Sequence, residues 1–125
     1  MELMTKKIEP RMPALYSQED EIKDAEAARD LFCRMLEIKK VHIHWFTDGD
    51  DVPFDPKNAW GWAAWGAKEI WIKDGLDHQD MIETIAHEAF HTVTTGFTGQ
   101  EWEDEADRFA AEAIKKYRIR IEANH

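Results

Sequence analysis

The 125-residue chain is poor in several features that mark secreted, membrane and nucleic-acid-binding proteins. Its single cysteine, Cys33, excludes a disulfide framework within the chain and favours a reducing compartment, so we expect a cytoplasmic protein. No apolar run approaches the length of a membrane-spanning helix, and the N-terminus lacks the apolar segment of a signal peptide. Acidic residues outnumber lysine and arginine by 26 to 16. The formal net charge of −10 disfavours direct binding to nucleic acid.

The length is expected to suit one domain with one hydrophobic core, so we assign residues 1–125 to a single unit. The pattern of apolar residues predicts an α+β fold: an N-terminal helix, a small antiparallel sheet of about three strands, and two further helices on one face of that sheet. The predicted segments are a loose lead-in (1–13), a helix that begins at Ser17, a strand (41–46), a loop (47–58), a strand pair (60–72), two helices, and a tail (118–125) that frays after Tyr117.

The strongest functional signal is His87-Glu88-Ala89-Phe90-His91, which reads H-E-x-x-H. Residues four apart on an α-helix are neighbours on its surface, so one metal ion can bridge His87 and His91. Glu88 then lies about 100° from His87 around the helix axis, beside the metal, where it can take a proton from water. The pattern is typical of zinc metallopeptidases.

The flanking residues favour the helix that this motif requires. Asp80 and Glu83 resemble a capping box at its N-terminus, and Gly96 supplies a C-terminal stop. One apolar stripe recurs at helical spacing, formed by Met81, Ile82, Ile85, Ala86, Ala89 and Val93. The stripe predicts a helix that buries one face and holds the two histidines on the other.

A catalytic zinc site takes three protein ligands and keeps a fourth position open for water. No third histidine follows closely, but three glutamates open the next helix: Glu101, Glu103 and Glu105. Glu103 and Glu105 flank its apolar stripe on opposite sides, so periodicity alone leaves the choice open among the three carboxylates.

The segment from Glu105 to Glu112 reads E-A-D-R-F-A-A-E and resembles the "E-A-N/D-x-F-A-A-E" segment of the ImmA/IrrE-type metallopeptidases, a minimal gluzincin group. Together with H-E-x-x-H and the apolar strand before it, the resemblance spans roughly residues 59–117. It implies a zincin-like fold, a Zn²⁺ cofactor and Glu105 as the third ligand. It also implies a cytoplasmic regulator that acts on a protein substrate such as a helix-turn-helix repressor.

Two tryptophans that precede the zinc helix are candidates for substrate binding. Trp60 and Trp62 fall on one face of a predicted strand, and peptidases often hold a substrate as an added strand along a sheet edge. The competing interpretation, which we favour for most of the tryptophans, is that they fill the core of a small domain. For a donor to the reacting carbonyl oxygen, the sequence offers Tyr16, His78 and Tyr117 without a preference.

His42 and His44 share one face of the strand at 41–46, a spacing that can suit a metal. No acidic or cysteine partner marks that face, so we interpret it as the exposed side of a half-buried strand.

These features predict a zinc metallopeptidase of gluzincin type in which Glu88 activates water. The alternative is a zinc-stabilised protein-binding module, anti-repressor-like or antitoxin-like, that does not cleave its partner. A structural zinc site is normally closed by four protein ligands, so this alternative requires another ligand from Glu101, Glu103 or His78. A metal-free adaptor would require both motifs to be coincidences.

Overall fold

The structure, a computed structural model, describes residues 15–64, 68–93 and 99–123, with side chains from residue 20 onward. Its elements are α1 (Leu15–Leu36), β1 (His42–Phe46), β2 (Gly61–Ala64), β3 (Glu69–Lys73), α2 (His78–Val93) and α3 (Gln100–Ala123). The predicted α+β class is confirmed. The predicted lead-in at 1–13 and the helix stop at Gly96 lie outside the described residues.

The three strands form one sheet in the order β1-β3-β2, and the sheet is mixed. β2 and β3 pair antiparallel, as expected for the strand pair, with Trp62 opposite Trp71. β1 pairs with β3 in parallel, so the expectation of a wholly antiparallel sheet is wrong for β1. The reason is the intervening chain: the loop and β2 lie between β1 and β3, and they allow β3 to return beside β1 in the same direction.

α2 lies at the centre of the domain, where it contacts β2 and β3 on one side and both other helices elsewhere. The core fills the space between these layers, because successive strand residues point to opposite faces and one face meets the helices. The core is formed by residues that include Ala25, Phe32, Ile70, Ile72, Ile85, Ala86 and Ala113. α2 thus has its apolar stripe buried from Met81 to Ala89, whereas Val93, the last predicted member of the stripe, is 37 % exposed. One flank of the helix is available for a site.

Three helix boundaries differ from the sequence expectations. α1 begins at Leu15, two residues before the predicted start at Ser17. α2 begins at His78, and the amide of Met81 donates to the carbonyl of Asp77 at 2.8 Å, so Asp80 lies inside the helix and is not its cap. α3 continues past Tyr117 to Ala123, because Tyr117 itself is buried against the other helices and holds that end in place. Within the described part of the chain, no helix combines the length and apolar character that a bilayer crossing needs.

The loop before β2 is held against the sheet by a buried cation. Lys73 at the end of β3 is 1 % exposed, and its ammonium group donates to Asp48 and to the carbonyl of Pro56. A buried ammonium is costly unless it is paired, and both partners lie in the 47–58 loop. The pairing fixes the path of the chain into β2 and therefore the wall that β2 presents to α2.

Candidate metal centre

Three ligand atoms from two helices converge beside α2. His87 Nε2 and His91 Nε2 lie 2.9 Å apart, and Glu103 Oε1 lies 3.1 Å from the first and 3.3 Å from the second. The four-residue spacing places both imidazoles on one flank of α2, and Glu103 reaches them from the first turn of α3. Among the described residues, this trio is a group with the atom types and spacing to hold a metal ion.

The trio fits zinc in both donor type and spacing. Two histidines and one carboxylate are an established set for catalytic zinc. Tetrahedral ligands at about 2.0–2.1 Å from zinc lie about 3.3 Å from one another, close to the separations found here. Burial, and secondly the neighbouring His87, lower the pKa of His91, which favours the neutral imidazole that binds a metal.

Glu105, which the resemblance implies as the third ligand, does not join this group in the structure. Its side chain is 54 % exposed and its Oε1 lies 3.3 Å from the guanidinium of Arg108. Two residues along a helix correspond to a rotation of about 200°, so Glu103 and Glu105 cannot both face α2. The structure therefore brings Glu103, and not Glu105, to the two histidines, and Glu103 was one of the three alternatives left open by periodicity. Glu101 is exposed and also lies outside the group.

A second carboxylate of α3 contacts the far side of one histidine ring. Asp107 Oδ1 lies 3.2 Å from His87 Nδ1, one helical turn after Glu103. A carboxylate near Nδ1 favours the tautomer that carries its proton on Nδ1 and leaves Nε2 free to bind a metal. The sequence interpretation missed Asp107, although the spacing of Glu103 and Asp107 is the same four residues that separate His87 from His91.

His91 is held differently from His87. Its Nδ1 atom is buried and has no hydrogen-bond partner among the described residues. The Trp102 ring packs against the imidazole instead, with ring centroids 4.0 Å apart. His91 is therefore oriented by packing, whereas His87 lies in ion-pair distance of the Asp107 carboxylate.

Glu88 lies beside the trio and is largely shielded from solvent. It is 9 % exposed and makes no hydrogen bond or ion pair with another described residue. Burial, followed by the negative charge of Glu103, raises the pKa of Glu88 to about 8. A raised pKa is what a residue needs if it is to carry a proton near neutral pH.

Close approach of β2 positions Glu88, and this approach requires a glycine. A Cβ atom at Gly61 would lie 2.5 Å from Thr84 Cγ2 and 2.8 Å from Glu88 Cγ. The sequence interpretation missed Gly61. Gly61 lies between two tryptophans ahead of the motif, and the sequence alone does not show that this position needs a glycine.

The two candidate substrate-binding tryptophans occupy different places. Trp60 lies just before β2 and lines a cavity of about 580 Å³ that also reaches His87 and Glu88. Successive residues of a strand point to opposite faces, and Gly61 faces α2. The side chain of Trp62 therefore lies on the face of the sheet away from α2, where it packs on Phe54 and Trp71. The expectation that Trp60 and Trp62 line one cleft is therefore wrong for Trp62.

The remaining sequence candidates lie away from the trio or outside the described side chains. His78 Nε2 lies 3.2 Å from Asp24, and its ring lies 6.3 Å from that of Tyr117, between α1, α2 and α3. The side chain of Tyr16 is outside the description. On β1, His44 Nε2 lies 2.7 Å from Glu69, and no metal-ligand trio forms there among the described residues.

Comparisons with known protein families, with curated proteins and with solved structures find no match to this chain.

Proposed function

We propose that this protein is a zinc-dependent metallopeptidase that hydrolyses a peptide bond in a protein substrate. The convergence of His87, His91 and Glu103 beside the buried Glu88 is the observation that carries the proposal. This arrangement provides three possible metal ligands from the protein and an adjacent carboxylate that makes no hydrogen bond or ion pair with another described residue.

The residues of the chain have separable roles in the proposed reaction. Zinc, when bound, supplies a Lewis acid that makes water more acidic and polarises the substrate carbonyl. Glu88 accepts a proton from the attacking water, and the remaining hydroxyl group bonds to the carbonyl carbon. Glu88 then returns the proton to the amine as the carbon–nitrogen bond breaks, so that the products are a carboxylic acid and an amine.

Asp107 and Gly61 support this chemistry without contacting the reacting atoms. Asp107 holds His87 in the tautomer whose Nε2 faces the other ligands. Gly61 lets β2 approach α2, which removes solvent from one side of Glu88. Among the described strands β2 is also at the edge of the sheet, paired with β3 on one side only. An edge beside Glu88 can accept an extended substrate segment.

The resemblance to ImmA/IrrE-type peptidases suggests an intracellular regulatory protein, such as a helix-turn-helix repressor, as the natural substrate. The zinc-stabilised binding module is the less favoured proposal, because it requires a fourth protein ligand. The ligand group among the described residues contains His87, His91 and Glu103, and neither Glu101 nor His78 joins it.

The test is a Glu88→Gln variant assayed on a synthetic library of random peptides, with cleavage products identified by mass spectrometry. We expect the zinc-loaded wild-type protein to cleave, and the variant to keep its zinc but cleave at least about 100-fold more slowly, because the proton acceptor is lost. Glu112→Gln makes the same substitution on the exposed surface of α3 and should cleave like wild type. A zinc-loaded wild type that cleaves nothing, or a Glu88→Gln variant that cleaves at the wild-type rate, would contradict the proposal.

A further inference from the structure

The cavity of about 580 Å³ beside the candidate metal centre has an acidic lining. Three of its lining residues carry carboxylates: Glu83, Glu88 and Asp107. None of its described lining residues is a lysine or an arginine. Its volume lies within the range of small-molecule and side-chain pockets, roughly 300–1,000 Å³.

The three carboxylates differ in the contacts that they make with other described residues. Asp107 is shared with His87 Nδ1 at 3.2 Å. Glu88 is nine-tenths buried, lines the cavity and has no partner among the described residues. Glu83 is exposed at the cavity wall, one helical turn before His87, and likewise makes no ion pair with a described residue. Glu83 therefore presents a solvent-accessible carboxylate to a ligand, whereas the carboxylate of Glu88 is buried.

The rest of the lining suits the stem of a long side chain. Ala59, Ala110 and Ala111 present methyl groups to the cavity, and Gly61 presents no side chain. Lysine and arginine bury their methylene stems against apolar surface and keep the charged group in a polar environment. An acidic side chain in the same place would face Glu83 and Asp107, and no lysine or arginine is among the described lining residues.

From this lining we infer that the cavity selects a basic residue, lysine or arginine, next to the bond that is cleaved, with Glu83 as the residue that determines this specificity. The inference rests on the proposed function for the meaning of the cleaved bond. The preference for a basic side chain is a property of the cavity and can be measured without cleavage.

The experiment is an NMR titration of ¹⁵N-labelled protein with three end-blocked pentapeptides that differ only at the central residue: lysine, methionine or glutamate. We expect the lysine peptide to bind at least about fivefold more tightly than the glutamate peptide and to shift the amide signals of Ala59, Gly61 and Glu83. Glu83→Gln should reduce this ratio to below about twofold, and Glu83→Lys should invert it.

A protein of net charge −10 attracts cationic peptides in general, so the control must remove the same charge elsewhere. Glu112→Gln does so on an exposed site of α3 outside the cavity and should leave the ratio unchanged. Equal affinities for the three peptides, no binding of the lysine peptide, or equal effects of Glu83→Gln and Glu112→Gln would overturn the inference.

Cleavage of the random peptide library separates the inference from the proposed function. Cleavage with lysine or arginine enriched at one fixed position from the broken bond supports both. Cleavage without such enrichment overturns the specificity and leaves the peptidase standing. A third outcome is that the zinc-loaded protein binds the lysine peptide in a Glu83-dependent way but cleaves nothing. This result would support the selectivity of the cavity and contradict the proposed peptidase function.

Discussion

Glu103 and Asp107 lie one helical turn apart on α3 and contact opposite sides of the same imidazole. Glu103 Oε1 approaches His87 Nε2, and Asp107 Oδ1 approaches His87 Nδ1. The first contact belongs to the candidate metal site and the second fixes the ring. Removing Asp107 should therefore weaken metal binding without removing a ligand.

We predict that Asp107→Ala lowers the affinity for zinc by about 10- to 100-fold, the usual effect of losing a carboxylate that orients a ligating histidine. Competition against a chromophoric chelator measures the change. Asp104→Ala, an exposed position of the same helix whose carboxylate accepts only from Gln100 in the described structure, is the control and should bind zinc like wild type. Equal affinities for both variants would show that His87 does not depend on Asp107.

At Gly61 the sheet comes close to α2. Gly61→Ala adds a Cβ within 2.5 Å of Thr84 and 2.8 Å of Glu88, so the strand or both side chains must move. We expect a loss of about 1–3 kcal/mol in the free energy of unfolding, measured with urea. Gly49→Ala is the control, because its added Cβ meets no atom within 4 Å. A Gly61→Ala variant as stable as Gly49→Ala would mean that β2 does not pack as closely as described.

Among the elements, α3 packs against α1 through Tyr117 and Phe109, which both contact Phe32. The Tyr117 ring is 7 % exposed and makes an edge contact with Phe32, with centroids 6.4 Å apart. Burial, and then the charge of Asp24, raise the pKa of Tyr117 from 10.0 to about 12. A tyrosine that must stay neutral to remain buried contributes stability fully below pH 10, and this contribution is lost as the pH rises towards 12.

We predict that wild type loses its stability advantage over Tyr117→Phe as the pH rises from 10 towards 12. The measurement is the unfolding free energy of both proteins in urea at several pH values. Lysine titration affects both proteins alike and cancels in the difference, which should stay constant below pH 10. A difference that is also constant above pH 10 would mean that the phenol is not buried in the folded state.

The sequence predicted elements well where the determining pattern is local. The apolar stripe of α2 is buried from Met81 to Ala89, and the strand pair forms at Gly61–Ala64 and Glu69–Lys73. The parallel pairing of β1 with β3 was missed because it joins distant segments, and no local pattern distinguishes it from antiparallel pairing.

The residues of the candidate site likewise divide into those that a local pattern predicts and those that depend on tertiary packing. His87 and His91 follow from helical spacing alone, whereas the choice between Glu103 and Glu105 depends on how α3 is rotated about its axis where it meets α2. Gly61 and the cavity depend on the approach of β2, which is a tertiary property.

At the scale of the whole molecule, we propose that His87, His91 and Glu103 from two helices form one zinc site per chain. The site joins α2 to α3, so zinc should also stabilise their packing, since a ligand that binds the folded state shifts the folding equilibrium. Glu103 is the third ligand in this proposal. Two glutamates only two positions apart make a matched pair of variants.

The most direct measurement is the zinc content per chain, by elemental analysis, of protein purified without a chelator or an affinity tag. It compares wild type, Glu103→Ala and Glu105→Ala. We predict close to one zinc per chain in wild type and in Glu105→Ala, and a marked loss in Glu103→Ala. A wild type that holds no zinc, even after zinc is supplied, would contradict the account. Loss of zinc in Glu105→Ala, with zinc retained in Glu103→Ala, would contradict the assignment of Glu103.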